Sequence, residues 1–238
     1  DTPVYIKIND DDVKIEEASS IWGMSTIDAQ KEVKKEIGEE YATLAIGIAG
    51  ENLVPMACII SGVNAAGRGG TGAVMGSKNL KLIAVKGTNG VKVADIEGLN
   101  AYSLDVIDRM KASPGMGRNL PAYGTTGSPK TNNDLGIFGT RNWQQEQFED
   151  AGIISGPYFK DKLGYGDGSN TCLACPIACS QITKVKSGKF KDAITIGPEY
   201  ETLFSLGSIC GNGNIDYIVK GDQFCDELGL DTISAGVT

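Results

Sequence analysis

Ala66-Gly67-Arg68-Gly69-Gly70-Thr71-Gly72-Ala73-Val74-Met75-Gly76-Ser77-Lys78-Asn79 leads directly into Leu80-Lys81-Leu82-Ile83-Ala84-Val85-Lys86-Gly87. The second half is a short apolar run closed by glycine and reads as a strand. Before it, the chain alternates in the manner of a sheet. Val4–Ile8 and Val13–Glu16 form a hairpin pattern around Asn9–Asp12. Ser25 and Asp28 mark the start of a helix that runs through Ile37 and closes at Gly38. Tyr41–Ile48 and Met56–Ser61 read as further strands. After Gly87–Ala94 the character changes. Leu99–Met110 carries apolar residues on roughly one helical face and stops at Ser113-Pro114-Gly115. Residues 115–140 read as loop, 143–149 as helix and 150–171 as irregular chain, with helices over 199–210 and 215–228. The expected class is α+β. A sheet-bearing lobe covers residues 1–90, and a mainly helical lobe covers residues 95–238.

Composition narrows the functional classes. The chain has 238 residues, of which 32 are glycine, about twice the usual share. No collagen-like period accompanies them. The net charge of −8 disfavours broad nucleic-acid binding. Histidine is absent, which excludes His-based zinc sites and Ser-His-Asp triads within this chain. No stretch of 18 or more apolar residues exists, so no membrane span is expected. Both ends read as cuts through a longer protein, with a processed natural subunit as the alternative.

Cys172-Leu173-Ala174-Cys175-Pro176-Ile177-Ala178-Cys179 places three of the six cysteines in a C-x2-C-x3-C run. Thiols this close cannot all form internal disulfides of good geometry. They can converge on metal, and thiolates are the usual ligands of iron–sulfur clusters. Pro176 is expected to start a helical turn that presents the third thiolate. A zinc site completed by Cys210 or Cys225, or a cysteine group without any ligand, stays open. Cys58, in an apolar run, reads as an inert core thiol. The free cysteines point to a reducing cytoplasm.

The glycine–arginine stretch offers backbone amides and a planar cation to an anion. It does not follow the Walker A order. As a dinucleotide fingerprint it lacks the acidic residue about 20 positions on. Phosphate binding and a tight structural turn both remain. Glu199 and Glu201, in Gly197-Pro198-Glu199-Tyr200-Glu201, do not share a helical face. One of them can point into a site, or both can simply be first-turn acids. Asp226-Glu227-Leu228-Gly229-Leu230-Asp231 ends a helix at Gly229. Its carboxylates can accept from a heterocyclic N–H array or serve as solvated caps. Thr140-Arg141-Asn142-Trp143 is a rim of donors or a helix start.

These segments, in this order, resemble the tungsten-containing aldehyde:ferredoxin oxidoreductases, a family that includes related carboxylate and aromatic acyl-CoA reductase subunits. The resemblance rests on Ala66–Gly70 with Gly76–Leu80, on Thr140-Arg141-Asn142, on the three cysteines, on Gly197–Glu201, and on Asp226-x2-Gly229-Leu230-Asp231. It implies tungsten held by two pterins, a nearby [4Fe–4S] cluster, and Mg2+ bridging the pterin phosphates. Residues 1–90 then match the later part of a pterin-base domain, and residues 95–238 match the start of the helical region that encloses the cofactor. Ala66, Gly67, Arg68, Gly69 and Gly70 match the region near the pterin phosphates. Asp226, Gly229, Leu230 and Asp231 match the first of two pterin-contacting motifs. Cys172, Cys175 and Cys179 match three of four cluster ligands, with the fourth expected outside this sequence and not at Cys210 or Cys225. Glu199 or Glu201 matches a substrate-side acid, with Glu199 preferred. The implied activity oxidises aldehydes to carboxylic acids and sends electrons to ferredoxin or another low-potential carrier, within a homo-oligomer or multisubunit complex. The alternatives are a tungsten subunit acting on acyl substrates in the reducing direction, and a non-catalytic iron–sulfur electron-transfer module. The 238 residues alone are not expected to suffice for aldehyde oxidation.

Overall fold

The computed structural model describes residues 2–62 and 64–238, so Asp1 and Val63 lie outside the described residues. The chain forms two compact units. The first comprises residues 1–90 with 224–235, and the second comprises 91–223 with 236–238.

In the first unit, β1 (Val4–Asn9) and β2 (Asp12–Glu17) pair antiparallel about a turn at Asp10 and Asp11, as their alternation predicts. Helix α1 (Thr26–Ile37) starts where Ser25 caps it: the Asp28 amide donates to Ser25 Oγ at 3.0 Å. Such a cap contributes about 1 kcal/mol. At the other end, Gly38 returns its N–H to Lys34. β3 (Ala42–Ile46) is followed by a short α2 (Ile48–Glu51), then by β4 (Ile59–Ser61) and β5 (Asn64–Ala66). The glycine-rich stretch forms α3 (Thr71–Gly76) and feeds β6 (Leu80–Lys86).

The six strands order as β2-β1-β6-β3-β4-β5. β6 lies parallel to β1 and antiparallel to β3, which makes it a central strand and accounts for its nearly continuous apolar run. Tyr5, Val33, Tyr41, Ala45 and Leu82 form the core between the sheet and α1. Two of the glycines are packing residues. A Cβ on Gly76 would meet the Gly50 carbonyl oxygen at 1.9 Å, and one on Gly72 would meet the Cys58 carbonyl at 2.5 Å. Lys81, on β6, is fully buried. Its ammonium donates to Met24 O at 2.8 Å and pairs with Glu51, whose carboxylate also takes the Gly23 N–H.

The second unit begins with α4 (Ile96–Ala112), longer than the apolar periodicity alone marks out. None of its residues is buried, so its apolar face is not core within this unit. The expected loop over 115–140 is instead a chain of short helical pieces: a π-type turn at Gly115–Asn119, α5 (Leu120–Tyr123), a 3-10 turn at Gly124–Gly127 and α6 (Pro129–Asp134). Pieces this short carry too few apolar repeats to show a period. The helix expected over 143–149 is a turn, because Arg141, Asn142 and Trp143 all have positive φ. Within the expected irregular segment 150–171 lie α7 (Gly156–Asp161) and β7 (Gly166–Asn170). β8 (Ser180–Lys184) and β9 (Ile194–Ile196) complete a small antiparallel sheet in the order β7-β8-β9. α8 (Tyr200–Thr202) continues as a π-type turn over Leu203–Ser208. α9 (Ile215–Leu228) and α10 (Thr232–Val237) follow, and the boundary between the units falls within each of these helices. Phe138, Phe148, Phe159, Leu203 and Ile218 centre the core of this unit. Sheet and helix thus both contribute, in agreement with the α+β expectation.

Candidate functional site

In the first unit, two distant segments meet on Pro55–Cys58. Gly70 adopts φ +72°, and a Cβ there would lie 2.6 Å from the Pro55 carbonyl oxygen. The Gly72 amide donates to Ala57 O at 3.0 Å. From the other side, the Cys58 amide donates to Gly229 O at 2.8 Å and the Asp231 amide to Met56 O at 3.1 Å. Leu230 forms an antiparallel bridge with Ala57. Arg68 Nε then reaches Asp231 Oδ2 at 3.2 Å across a sequence separation of 163.

Within this corner the roles differ. Asp231 is 6% exposed and accepts from the Ile233 and Ser234 amides and the Ser234 hydroxyl, so its carboxylate is engaged by the protein as the cap of α10. Arg68 remains 65% exposed. Its ion pair uses Nε, which leaves the guanidinium's outer edge facing outward. Gly69 has open space around it. The Ala66 carbonyl accepts from Thr71 Oγ1 at 2.9 Å. The Asp226 carbonyl takes the Thr26 hydroxyl at 2.6 Å, tying the motif to α1. Cys58 is buried, and its thiol is pushed up to about 12 by burial, with the charges of Asp226 and Asp231 adding. That is an inert core thiol, as the sequence predicts.

In the second unit, all three clustered cysteines are reduced; Cys172 is exposed, and Cys175 and Cys179 are partly buried. The Cys175 amide donates to Cys172 O at 3.0 Å, and Thr171 Oγ1 donates to Cys175 O at 2.8 Å. The helical turn expected from Pro176 does not form. Instead, Ala174 and Ala178 take positive φ just before Cys175 and Cys179. Burial raises the Cys179 thiol first, then the charge of Glu199, with Cys175 and Cys172 adding. Among the described residues, no three His, Cys, Asp or Glu side chains converge as a metal site. The donor chemistry nonetheless fits a thiophilic metal: three free thiols on one short loop. Cys210 lies 3.2 Å from the Ser205 and Gly236 carbonyls, and Cys225 is buried.

Glu199 is half-buried at the start of α8 and accepts the Thr125 hydroxyl. Thr125 Oγ1 accepts in turn from the Tyr200 amide at 2.8 Å. Glu201 is exposed. The turn that carries Thr125 also abuts the cysteine loop, since a Cβ on Gly124 would lie 2.2 Å from Cys179 O. Lys160, on α7, bonds Gln181 Oε1; burial pushes its ammonium down to about 8, against the charges of Asp161 and Glu199. Arg141 pairs with Glu149, and its amide donates to Ser208 O at 2.8 Å.

Thr125, Lys160 and Asp222 were not singled out by any sequence motif. Asp222 had a signal. It continues the buried stripe Ile215, Ile218, Val219 on α9 at helical spacing, an acid where the pattern calls for an apolar residue.

Comparison with known proteins supplies the family. The model of the aldehyde ferredoxin oxidoreductase N-terminal domain matches residues 1–87, and that of domains 2 and 3 matches residues 102–238. A tungsten-containing aldehyde ferredoxin oxidoreductase of Thermococcus kodakarensis is 42% identical over 238 residues, covering 99% of this chain and 38% of its own length. An aliphatic sulfonate oxidoreductase, WOR-like subunit, of Pyrococcus furiosus is 32% identical over 255 residues, covering 99% of this chain and 39% of its own length. The solved active site complex BamBC of benzoyl coenzyme A reductase, in complex with 1,5-dienoyl-CoA, superimposes with a TM-score of 0.78 at 28% identity, over 99% of this chain and 37% of that one. The chain therefore spans well under half the length of these relatives. With both family domains matched along it and the ordered motifs in place, the chain belongs to the aldehyde ferredoxin oxidoreductase family.

Proposed function

We propose that the native protein carrying this chain is a tungsten–pterin oxidoreductase that oxidises aldehydes to carboxylic acids and passes electrons through a [4Fe–4S] cluster to ferredoxin or another low-potential carrier. The observation that carries this reading is the corner where Ala66–Gly70 and Gly229–Asp231 flank Pro55–Cys58 and meet at Arg68 and Asp231. It supports a cofactor platform, because an exposed planar cation is held in place by a buried carboxylate that caps its own helix.

In this reading residues 1–90 are the later part of a pterin-base domain, and residues 95–238 are the first part of the enclosing helical region. Arg68 and the amides of Gly67, Gly69 and Gly70 take a pterin phosphate beside Mg2+. Ala66 lines that site. Asp226, Gly229 and Leu230 contact the pterin, and Asp231 orients Arg68. Cys172, Cys175 and Cys179 ligate three irons. When bound, the tungsten–pterin centre supplies two-electron chemistry and the cluster a one-electron path. Glu199 holds or releases the proton at its carboxyl, with Thr125 fixing its orientation. Glu201, exposed on α8, is the other acid available for that role. In this reading the protein works in a reducing cytoplasm, as free cysteines suit, and within a homo-oligomer or a multisubunit complex; no helix among the described residues is long and apolar enough to cross a membrane.

A second reading, reduction of an acyl substrate in the opposite direction, is favoured by the likeness to the benzoyl coenzyme A reductase complex. Native protein isolated without oxygen separates these. Tungsten, iron and sulfide with aldehyde-dependent dye reduction support the first, and acyl-dependent oxidation of a reduced dye supports the second. Iron without tungsten supports an electron-transfer module, and zinc alone overturns all three. Arg68→Ala is expected to lower tungsten and pterin content, while unchanged content argues for a purely structural turn.

A further inference from the structure

Gln181 lies on β8 just beyond Cys179 and is only 6% exposed. Both ends of its side-chain amide are engaged. Nε2 donates to Ala178 O at 3.0 Å and to Pro121 O at 3.3 Å, and Oε1 accepts from the Lys160 ammonium. The orientation of the amide is fixed by chemistry, because an ammonium can only donate and a carbonyl can only accept. Its backbone is held as well: Gln181 O accepts the Gly197 amide at 2.8 Å, and Gln181 pairs with Ser169 of β7. One buried amide therefore joins α5, α7 and the end of the cysteine loop. It cannot turn over without leaving polar atoms unpaired.

The loop needs that hold at this point. Ala178 has φ +51°, a conformation that a residue with a Cβ keeps only where its surroundings impose it. The Gln181 amide takes the Ala178 carbonyl, and the turn at Gly124 packs directly on the next one, since a Cβ on Gly124 would lie 2.2 Å from Cys179 O. The other end of the loop is held more locally: among the described residues, the Thr171 hydroxyl and the Cys175 amide bond only within Thr171–Cys175. Lys160 donates to Gln181 and reaches Ala122 O at 3.4 Å; the charges of Asp161 and Glu199 act on it without an ion pair among the described residues.

We infer that Gln181 is a positioning residue for Cys179, and that Lys160 locks Gln181 in place and sets a positive charge behind that end of the loop. The inference rests on reading Cys172, Cys175 and Cys179 as cluster ligands. The metal gathers the thiols; Gln181 fixes the chain from which the third one projects. Replacing a group that orients a metal ligand changes metal affinity about 10–100-fold. A nearby cation also favours the reduced, more negative form of an iron–sulfur cluster, so its loss lowers the reduction potential.

Redox titration of the natively isolated protein, followed through the EPR signal of the reduced cluster, tests this in mildly acidic buffer, where the Lys160 ammonium is charged. Gln181→Glu keeps an acceptor for Lys160 but sets a carboxylate oxygen against the Ala178 and Pro121 carbonyls. Lys160→Met keeps both amide donors and removes the charge. The midpoint potential is expected to shift to more negative values in both variants, and Gln181→Glu is expected to lose iron to a chelator about 10–100-fold faster than the parent. A potential that stays or rises in either variant, or a parental release rate in Gln181→Glu, overturns the inference. It does so even if the denaturation midpoint falls, since stability alone is what a purely structural amide would change. Should Gln181→Glu fail to fold, Lys160→Met, at a partly exposed position, decides alone. A parent without the cluster signal sinks the reading of the cysteines and the inference together. A parent with that signal and an unmoved potential in the variants sinks the inference alone.

Discussion

The Arg68–Asp231 corner and the Cys172–Cys179 loop both carry motifs of the same family, yet they are built differently. In the corner, three backbone bonds and a bridge stitch Gly72 and Gly229–Asp231 onto Met56–Cys58, and Asp231 is buried under three further donors. Among the described residues the loop is held by one internal backbone bond and by the Thr171 hydroxyl and the Gln181 amide from its two ends, and Leu173 near its start is fully exposed. The corner's shape is therefore a property of the packed chain, while the loop's thiols are arranged by whatever they ligate.

The sharpest way to break that contrast is to weaken the frame under the corner. Lys81→Ala leaves the Glu51 carboxylate, 6% exposed, without its cation. Burial pulls the Lys81 ammonium down and the Glu51 partner pulls it up, so the pair depends on both members. The expected loss is about 3–5 kcal/mol, read as a lower denaturation midpoint; an unchanged midpoint would show that the frame does not depend on this pair. Next in size is Gly76→Ala. The new methyl meets the backbone oxygen of Gly50, which cannot turn aside as a side chain can, so α2 and α3 must part. About 1–3 kcal/mol is expected, measured the same way. The smallest stability effect is expected at the loop. Cys172→Ser, at an exposed position, should change the stability of metal-free protein by less than about 0.5 kcal/mol while iron content falls. Equal destabilisation at Cys172 and Gly76 would erase the distinction between the two regions.

Different parts of this organisation were legible to different degrees. The β1–β2 hairpin and α1 were readable because alternation, the Ser25 cap and Gly38 all act within a few residues. The segment 143–149 reads as helix in the sequence but forms a turn, because propensity over so short a segment yields to the hydrogen bonds that the Arg141 and Asn142 amides just before it make to Ser208 and Ile209. The glycine stretch carried two readings, and the structure divides them by residue. Gly72 and Gly76 serve packing, whereas Gly69 has open space. No local pattern distinguishes these, since each depends on what lies opposite.

Sequence by itself determined the α+β class, the ends of α1, the spacing of the three cysteines and the family. All of these are written in neighbouring residues or in the order of short motifs. Tertiary structure decided that β6 inserts between β1 and β3, that Gly229–Asp231 returns to Met56–Cys58, and that Lys81 is buried against Glu51. These outcomes join residues far apart in the chain. They are selected by burial, backbone pairing and charge compensation in the folded molecule, and no local window contains that information.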